Sequence, residues 1–176
     1  MHLREYTAKD EKQVHALLEG VADDLGSTYP PIEWLERFNT WGEWLEGIEY
    51  RFRLVAFHRE LLIGHIGIAA TVGPDVEGAL PSSIRAMNPG ELVRLFVGLS
   101  SRRSGVGSAL LAEGAAKARQ LGHLPVLSTY TEDKLAQEFY EKEGWTGVST
   151  GIGSDTRRRI TVYCQADDLL LDARKG

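Results

Sequence analysis

The chain has 176 residues, of which 20 are Lys or Arg and 25 are Asp or Glu, so its formal net charge is -5. This length is typical of one domain, and we expect residues 1–176 to form a single domain. The lone Cys164 excludes an internal disulfide framework, and the acidic balance argues against general affinity for nucleic acid. Because the first residues lack the apolar run of a signal peptide and no apolar stretch is long enough to span a bilayer, we expect a cytoplasmic protein without membrane contact.

The charge is unevenly distributed along the chain. The first 50 residues contain eleven acidic and four basic residues, a net charge of -7, whereas residues 51–176 have a net charge of +2. Such asymmetry arises from the solvation of helix faces, and it also arises where a cationic ligand approaches. The charge pattern leaves both interpretations open.

The first predicted elements are a strand and two helices. Alternation over residues 2–6 predicts the strand, and Thr7 is placed to begin a helix whose apolar residues recur until Gly26. After two prolines, we expect a second helix over about residues 32–45. This helix concentrates aromatic residues, which predicts either core packing or one wall of a binding site. The residues are Trp34, Phe38, Trp41 and Trp44.

The middle of the chain predicts two paired strands followed by a loop. Residues 51–57 and 61–71 have the apolar pattern of strands, with a tight turn at Arg59 and Glu60. His65 lies within the second of these strands, and we expect it to be a core histidine with satisfied ring nitrogens. Residues 73–90 are rich in Pro, Gly and Ser, so they predict a long loop between strands, with disorder as the alternative.

The second half of the chain alternates between strands and helices. The pattern predicts strands over residues 91–99, 124–131, 145–149 and 158–164, and helices over residues 105–121 and 132–143. Gly122 and Gly144 follow the two helices, where glycine commonly ends a helix. We therefore expect an α/β (α+β) fold with a single mixed, mostly antiparallel sheet of about seven strands and helices on both faces.

The most informative segment extends from Leu95 to Leu111. An apolar strand enters a basic turn that contains glycines and leaves it as a helix, so backbone N–H groups and the positive helix end meet at one place. Arg102 and Arg103 add positive charge there, and the arrangement suits a phosphate. A Walker loop requires a lysine after the glycines, and a Rossmann fingerprint requires a third glycine where Leu110 stands, so the spacing disfavours both.

The segment resembles the acyl-CoA signature of the GNAT N-acetyltransferase superfamily, Gln/Arg-x-x-Gly-x-Gly/Ala. The chain has Arg102-x-x-Gly105-x-Gly107, with Val97 five residues before the arginine as in the family. The order of the predicted elements matches the family over nearly the whole chain.

A second resemblance follows downstream, where the family has Asn-x-x-Ala-x-x-Phe/Leu-Tyr-Glu-Lys-x-Gly-Phe. The chain matches this pattern from Asp133 to Trp145, with Ala136 and Tyr140 at the family positions. Trp145 replaces Phe, which is a conservative core change. Asp133 replaces the usual Asn, and it is placed to cap its helix.

The resemblance implies a splayed central strand pair and direct transfer of an acetyl group from acetyl-CoA, as co-substrate, to an amine without a metal. It places the pyrophosphate on the amides of Arg103 to Ser108 and the pantetheine arm along Leu95 to Val97. A main-chain N–H near Phe96 or Val97 would meet the thioester carbonyl oxygen. The residues implied to bind acyl-CoA are Leu95, Phe96, Val97, Arg102, Arg103, Ser104, Gly105, Val106, Gly107, Ser108, Asp133 and Ala136.

The reaction needs a base for a protonated amine and benefits from an acid for the departing thiolate. Glu91, six residues before Val97, holds the position of the glutamate base in histone-acetylating relatives, and Tyr140 holds the family position of the acid. Strand alternation would place Glu91 on one face with Val93, Leu95 and Val97.

The alternatives are an exposed strand-end carboxylate for Glu91 and a packed aromatic ring beside Phe139 for Tyr140. The other candidate bases are Glu33, Glu43, Glu46 and a relaying water.

Two further groups of residues are not expected to take part. Cys164 has no candidate base near it in the sequence, so a covalent acetyl-cysteine is not expected. Arg157 to Arg159 are expected to form a solvated hairpin edge rather than to contact an acidic acceptor or the 3'-phosphate of CoA.

In relatives the first helices shape the acceptor site, and here they carry the acidic excess and the aromatic residues. Trp34, Phe38, Trp41 and Glu33 therefore predict a site for a cationic amine, either a small molecule or a lysine or N-terminal amine of a protein. The sequence leaves homodimerisation open. The alternative from another class is a non-catalytic acyl-CoA sensor or partner-binding module on the same fold.

Overall fold

The computed structural model describes residues 1–23, 38–154 and 157–165. Its strands are β1 (His2–Glu5), β2 (Tyr50–His58), β3 (Leu61–Ala69), β4 (Pro89–Val97), β5 (Leu124–Tyr130), β6 (Trp145–Ile152) and β7 (Arg159–Gln165). Its α-helices are α1 (Glu11–Ala22), α2 (Trp41–Glu46), α3 (Pro74–Ala79), α4 (Ser82–Arg85), α5 (Val106–Gln120) and α6 (Lys134–Lys142). Short 3-10 helices precede α1 and follow β4. None of the described helices is long and apolar enough to cross a membrane.

The strands follow the order β1-β2-β3-β4-β5-β7-β6. All neighbouring pairs are antiparallel except β4 and β5, which are parallel. This confirms the predicted mixed, mostly antiparallel sheet of seven strands.

The chain divides into two compact units. The first comprises Met1–Ala70 and Leu92–Ala116, and the second comprises Thr71–Glu91 and Lys117–Gly176. The end of β4 pairs with β3 in the first unit, and its first three residues pair with β5 in the second.

In the first unit, α1 and α2 cover one face of the sheet. Val55, His65 and Phe96 are cross-strand neighbours on β2, β3 and β4, so their side chains share this face. Burial of apolar side chains from the two helices against this face stabilises the unit by roughly 1.5–3 kcal/mol for each large side chain. The buried cluster consists of Val14, Leu18, Val21, Trp44, Leu45, Val55, Phe57, Leu62 and Phe96.

Helix α5 covers the other face of the same sheet, and glycines permit its close approach. A Cβ atom on Gly64 would lie 2.7 Å from Cδ1 of Leu110 and 3.1 Å from Cγ1 of Val106. Because Gly64 pairs with Val97, the start of α5 lies beside the end of β4. The glycine on β3 thus places a helix N-terminus next to the last residues of the strand.

In the second unit, β7 lies between β5 and β6. Ile160, Val162 and Cys164 alternate along one face of β7 and are at most 7% exposed. Gly151 pairs with Ile160, and a Cβ atom on it would lie 2.7 Å from the Cβ of Ala79, so α3 packs on this face. Helix α6 packs on the opposite face, where the ring of Tyr140 lies 5.8 Å from that of Tyr163.

The second helix begins later than the sequence predicts. Thr40 is extended, and its Oγ1 accepts a hydrogen bond from the N–H of Glu43 at 3.0 Å. In return, Oε2 of Glu43 accepts from the N–H of Asn39 at 2.9 Å. This reciprocal cap makes Trp41 the first residue of α2, so the predicted helix is wrong over residues 38–40. The predicted start near residue 32 lies outside the described residues.

The predicted long loop over residues 73–90 is also wrong in part. It contains α3 and α4, and β4 begins at Pro89. Pro74 occupies the first position of α3 and Pro81 precedes α4. Proline favours these positions because its φ is preset and its missing N–H needs no partner there. The prolines therefore start helices in this segment.

Asp10 is a buried carboxylate just before α1. Its Oδ1 and Oδ2 accept hydrogen bonds from the Arg4 guanidinium at 2.6 and 2.7 Å, and Oδ2 also accepts from the N–H of Thr7 at 2.8 Å. Asp10 is 3% exposed. The hydrogen bonds from Arg4, followed by those from Thr7, lower the pKa of Asp10 from 3.8 to about 2 despite its burial.

Replacing Asp10 with Asn is expected to lower the free energy of unfolding by about 2 kcal/mol at pH 7. Because the folded pKa lies below the unfolded one, this stabilisation is complete above about pH 5 and is lost as the pH falls toward about 2. Urea unfolding of both proteins across this range measures it. Glu19→Gln, which removes the same charge from an exposed site on α1, serves as the control. Equal losses for the two variants at pH 7 would contradict the assignment.

Candidate functional site

The end of β4 contains a β-bulge. One residue of β3, Ile66, faces two residues of β4, Arg94 and Leu95, because the register shifts between the strands at this point. Arg94 has a φ of 56°, in the left-handed region that non-glycine residues rarely adopt. The bulge therefore imposes a fixed change of direction on the strand just before Phe96.

The bulge overturns the predicted alternation along β4, in which one face runs from Glu91 through Val93 to Val97. Val93 pairs with Gly67 and Val97 pairs with Gly64, and positions three apart on β3 point to opposite faces. The prediction of one shared face is wrong because the extra residue reverses the side-chain direction.

The carbonyl group of the bulged residue, Arg94, is held by His65. Nδ1 of His65 lies 2.9 Å from this carbonyl oxygen, and Nε2 accepts a hydrogen bond from Nε of Arg53 at 3.0 Å. Burial of the ring and, next, the charge of Arg53 lower the pKa of His65 to about 3. The prediction of a core histidine with satisfied nitrogens is confirmed.

The turn after β4 directs backbone amides toward one place. Arg103 and Gly105 have φ values of 59° and 83°, and Oγ of Ser104 donates to the carbonyl oxygen of Ser101 at 2.6 Å. The N–H of Ala109 donates to the carbonyl of Gly105 at 3.0 Å where α5 begins, and the first N–H groups of a helix point toward its N-terminal end. A Cβ atom on Gly105 would meet nothing within 4 Å. This positive helix end has room for an anion.

The first unit joins ten of the twelve sequence-predicted acyl-CoA residues into one continuous strand, turn and helix, whereas Asp133 and Ala136 belong to the second unit. Leu95 to Val97 end β4, Arg102 to Gly105 form the turn, and Val106 to Ser108 form the first turn of α5. The side chains of the turn are exposed, whereas Phe96 is buried and stacks on the ring of His65 with centroids 5.0 Å apart.

The aromatic residues of α2 divide into a buried and a half-buried part. Trp44 is 1% exposed, and the guanidinium carbon of Arg94 lies 3.6 Å from its ring centroid. Trp41 is half-buried and meets Trp44 edge to face at 6.2 Å. Trp44 is therefore a core residue whose face is covered. Trp41 and Phe38 pack against the same core cluster and keep part of their surface exposed. Their place in the acceptor site stays a prediction.

The candidate carboxylates near α2 have structural partners. Glu43 caps the helix, and both oxygens of Glu46 accept hydrogen bonds from Nη1 of Arg53 at 2.9 and 3.0 Å. Glu33 and Trp34 lie outside the described residues. Glu43 and Glu46 already serve to fix α2 and Arg53.

In the second unit, Glu91 is buried at the start of β4. The residue is 8% exposed, and its Oε2 accepts a hydrogen bond from the N–H of Gly73 at 2.8 Å. Its backbone pairs with Val126 of β5. The alternative of an exposed strand-end carboxylate is wrong, because the side chain turns inward and holds the chain just before α3.

Helix α6 presents the residues of the downstream motif. Oδ1 of Asp133 accepts a hydrogen bond from the N–H of Ala136 at 3.0 Å, which confirms that Asp133 caps its helix. Tyr140 lies one turn beyond Ala136 and is half-buried. Its ring centroid lies 5.3 Å from that of Phe139 and 5.8 Å from that of Tyr163.

The three consecutive arginines differ in their surroundings. Arg158 forms an ion pair with Glu132, and its guanidinium carbon lies 3.9 Å from the ring centroid of Tyr130. Arg157 and Arg159 are exposed. The predicted solvated edge is therefore wrong for Arg158, which is half-buried, and is confirmed for its two neighbours.

Arg53 and Arg94 flank His65, and neither was predicted from the sequence as a functional residue. Both are charged residues in the interior of predicted strands, and this was the available signal. Arg53 is 7% exposed, and its guanidinium carbon lies 3.8 Å from the ring centroid of Tyr6 and 4.5 Å from that of Tyr50. The two aromatic faces and Glu46 fix this guanidinium in the core.

The acetyltransferase (GNAT) family model matches residues 15–145 of the chain. No curated protein sequence matches it significantly. Among solved structures, an aminoglycoside 6'-N-acetyltransferase complexed with coenzyme A is 18% identical, with a TM-score of 0.64 over 94% of this chain and 96% of that one. The ribosomal-protein-S18-alanine N-acetyltransferase from Escherichia coli is 12% identical, with a TM-score of 0.63 over 93% and 92% of the two chains. The PaiA N-acetyltransferase from Thermoplasma acidophilum, in complex with coenzyme A, is 17% identical, with a TM-score of 0.62 over 92% and 96%. At these identities the likeness establishes a shared fold.

Proposed function

The chain belongs to the acetyltransferase (GNAT) family, and we propose that it transfers an acetyl group from acetyl-CoA directly to a primary amine of a small cationic molecule, a peptide or a protein. The observation that carries the proposal is the continuous segment from the bulge of β4 to the first turn of α5. It offers strand-end backbone groups and a glycine-bearing anion site in one stretch of chain.

This segment supplies the proposed donor site. The amides of Arg103 to Ser108 and the positive end of α5 bind the pyrophosphate, and Arg102 adds charge. The backbone of Leu95 to Val97 binds the pantetheine arm as an added strand would bind. An N–H group at Phe96 or Val97 meets the thioester oxygen, whose negative charge grows during attack by the amine.

Gly105→Ala is expected to weaken CoA binding at least about tenfold, because a side chain at a phosphate-binding glycine blocks the close approach of the anion. Isothermal titration with CoA measures the dissociation constant, and urea unfolding of the same variant measures its stability.

Gly122→Ala provides a matched control at the other end of α5. Gly122 has a φ of 80°, close to the 83° of Gly105, and a Cβ atom on either residue would meet nothing within 4 Å. Both variants should therefore lose a similar stability of about 1–2 kcal/mol. If Gly105→Ala and Gly122→Ala bound CoA equally well, the proposed phosphate site would be refuted.

Two side chains carry the proposed acid–base chemistry. Glu91 accepts the proton of the ammonium acceptor, directly or through a water, and the Tyr140 phenol donates a proton to the departing thiolate. Asp133 caps α6 and so fixes the helix that carries Ala136 and Tyr140.

A cationic acceptor is proposed from the charge of the first 50 residues, which is -7. Trp41 and Phe38 supply half-buried aromatic surface near the start of α2, and aromatic faces attract cations. Glu33 and Trp34 are the other two residues that we propose to bind the acceptor amine. Arg53 and Arg94 place positive charge in the same unit, so anionic acceptors belong in the test.

A panel of acceptors tests this preference. Polyamines, aminoglycosides, lysine peptides and peptides with free N-terminal amines are compared with acidic amino acids by the rate of thiol release from acetyl-CoA. We expect kcat/KM for the best cationic amine to exceed that for acidic amino acids at least about tenfold, since Coulomb attraction raises the local concentration of a cation. Faster acetylation of acidic amino acids would refute the acceptor class and leave acetyl transfer itself intact.

A further inference from the structure

The bulge on β4 is a strained feature that needs a fixed partner. A non-glycine residue in the left-handed region costs of order 1–3 kcal/mol, and a bulged residue leaves the regular ladder. A donor from outside the ladder can therefore fix the carbonyl oxygen of Arg94. His65, on the neighbouring strand β3, supplies it at 2.9 Å.

The hydrogen-bond partners of His65 determine its tautomer. Arginine only donates, so Nε2 of His65, 3.0 Å from Nε of Arg53, must accept. The proton of the neutral ring then lies on Nδ1, which donates to the carbonyl of Arg94. A ring with the proton on Nε2 would clash with Arg53 and turn a lone pair toward the carbonyl.

Arg53 is itself held from several sides. Glu46 binds Nη1 through both carboxylate oxygens at 2.9 and 3.0 Å, and the rings of Tyr6 and Tyr50 lie against the guanidinium. This charged group therefore has one orientation relative to His65. Glu46, at the end of α2, therefore orients Arg53, and Arg53 in turn orients His65 at the bulge.

We propose that His65 is a positioning residue for acetyl transfer, because its Nδ1–H, in the tautomer that Arg53 imposes, fixes the bulge carbonyl and thereby directs the end of β4, where the N–H of Val97 points away from β3. The inference rests on the proposed function, since that amide matters to catalysis only where the thioester meets it. His65 exchanges no proton with a substrate. Its role is to hold the backbone in the direction that stabilises negative charge on the thioester oxygen.

The tautomer is tested in the wild-type chain without any activity. Long-range proton–nitrogen spectra of protein labelled in its histidine rings report which nitrogen carries the proton. We expect His65 to be protonated at Nδ1 from pH 6 to pH 8. A proton on Nε2, or a charged ring in this range, would overturn the proposal.

The positioning role is tested by titrating the labelled chain with acetyl-CoA. Wild type should show shifts of the Phe96, Val97 and Gly107 amide signals. His65→Leu should keep the Gly107 shift and lose most of the shifts at Phe96 and Val97. His65→Asn should restore them, because its side-chain amide can donate to the same carbonyl. Absent shifts at Phe96 and Val97 in wild type, or unchanged shifts in His65→Leu, would overturn the proposal.

Turnover gives an independent readout of the same variants. We expect kcat of His65→Leu to fall about 30-fold with a change of less than about threefold in KM for acetyl-CoA, as for loss of a transition-state contact. The control His58→Leu, at an exposed histidine, should keep wild-type kcat. Retained kcat in His65→Leu would refute the positioning role. If wild type shows the amide shifts but acetylates no amine, the proposed function fails while the positioning of the amides stands.

Discussion

Glu91→Gln is expected to lower kcat/KM for an amine acceptor about 100-fold or more at pH 7. An acceptor with a pKa of about 10.4 has only about one neutral molecule in 2,500 at this pH, so removal of its proton limits the rate. Glutamine matches the size of glutamate, and its amide oxygen can still accept the hydrogen bond from Gly73 that Glu91 accepts at 2.8 Å. The substitution therefore removes the proton acceptor and preserves the loop before α3.

The pH dependence separates a base from a structural carboxylate. As the pH rises toward the pKa of the acceptor, more of the amine is already neutral. The deficit in kcat/KM of Glu91→Gln relative to wild type should therefore shrink. Glu77→Gln, at an exposed position on α3, provides a control that should keep wild-type activity at every pH. A deficit that is constant between pH 7 and pH 10 would assign Glu91 to structure alone.

Tyr140→Phe is expected to lower kcat about 100-fold, since general acid catalysis contributes a factor of this order. A phenol with a pKa of about 10 can donate a proton to a thiolate whose conjugate acid has a pKa of about 8.5. The transfer is only modestly unfavourable, because the two pKa values are close. Because the acid acts in its protonated form, wild-type kcat should fall as the pH rises past the pKa of the phenol. The variant should lack this alkaline decline.

The adjacent Tyr163 offers a matched control. Its ring lies 5.8 Å from that of Tyr140, and burial, followed by the charge of Glu141, raises the pKa of Tyr163 above 10.0. Tyr163→Phe deletes the same hydroxyl from a buried neighbour and should change kcat less than about threefold. Equal losses in the two variants would indicate packing of the aromatic pair instead of proton donation by Tyr140.

Elements with local signals were predicted from the sequence, and elements that depend on register were not. Gly122 and Gly144 end α5 and α6 as predicted, because their positive φ values make the stop a property of one residue. The start of α2 depends on a cap between Asn39, Thr40 and Glu43, which the aromatic spacing of the segment obscured. Similarly, Pro74 begins a helix where the local composition suggested a loop.

The candidate site also contains one part that a local sequence pattern predicted and another part that depends on strand register. The turn from Arg102 to Gly105 is contiguous in sequence, so its spacing alone predicted an anion site. The bulge at Arg94 arises from the pairing of β4 with β3, which no local pattern specifies. A second register shift on β2, between Tyr50 and Phe52, leaves Arg51 exposed and Arg53 buried. Strand alternation alone gives both arginines the same direction, so the Arg53 and His65 pair could not be found without the structure.

A carbon-labelled acetyl group shows whether the protein acetylates an amine with acetyl-CoA. Wild-type protein is incubated with labelled acetyl-CoA and the best amine of the panel, and the mass of the amine is measured together with released thiol. We predict that labelled acetyl-amine and free thiol appear in equal amounts and only when protein and amine are both present. Tight CoA binding with no amine-dependent thiol release from any acceptor would contradict the claim and support an acyl-CoA sensor.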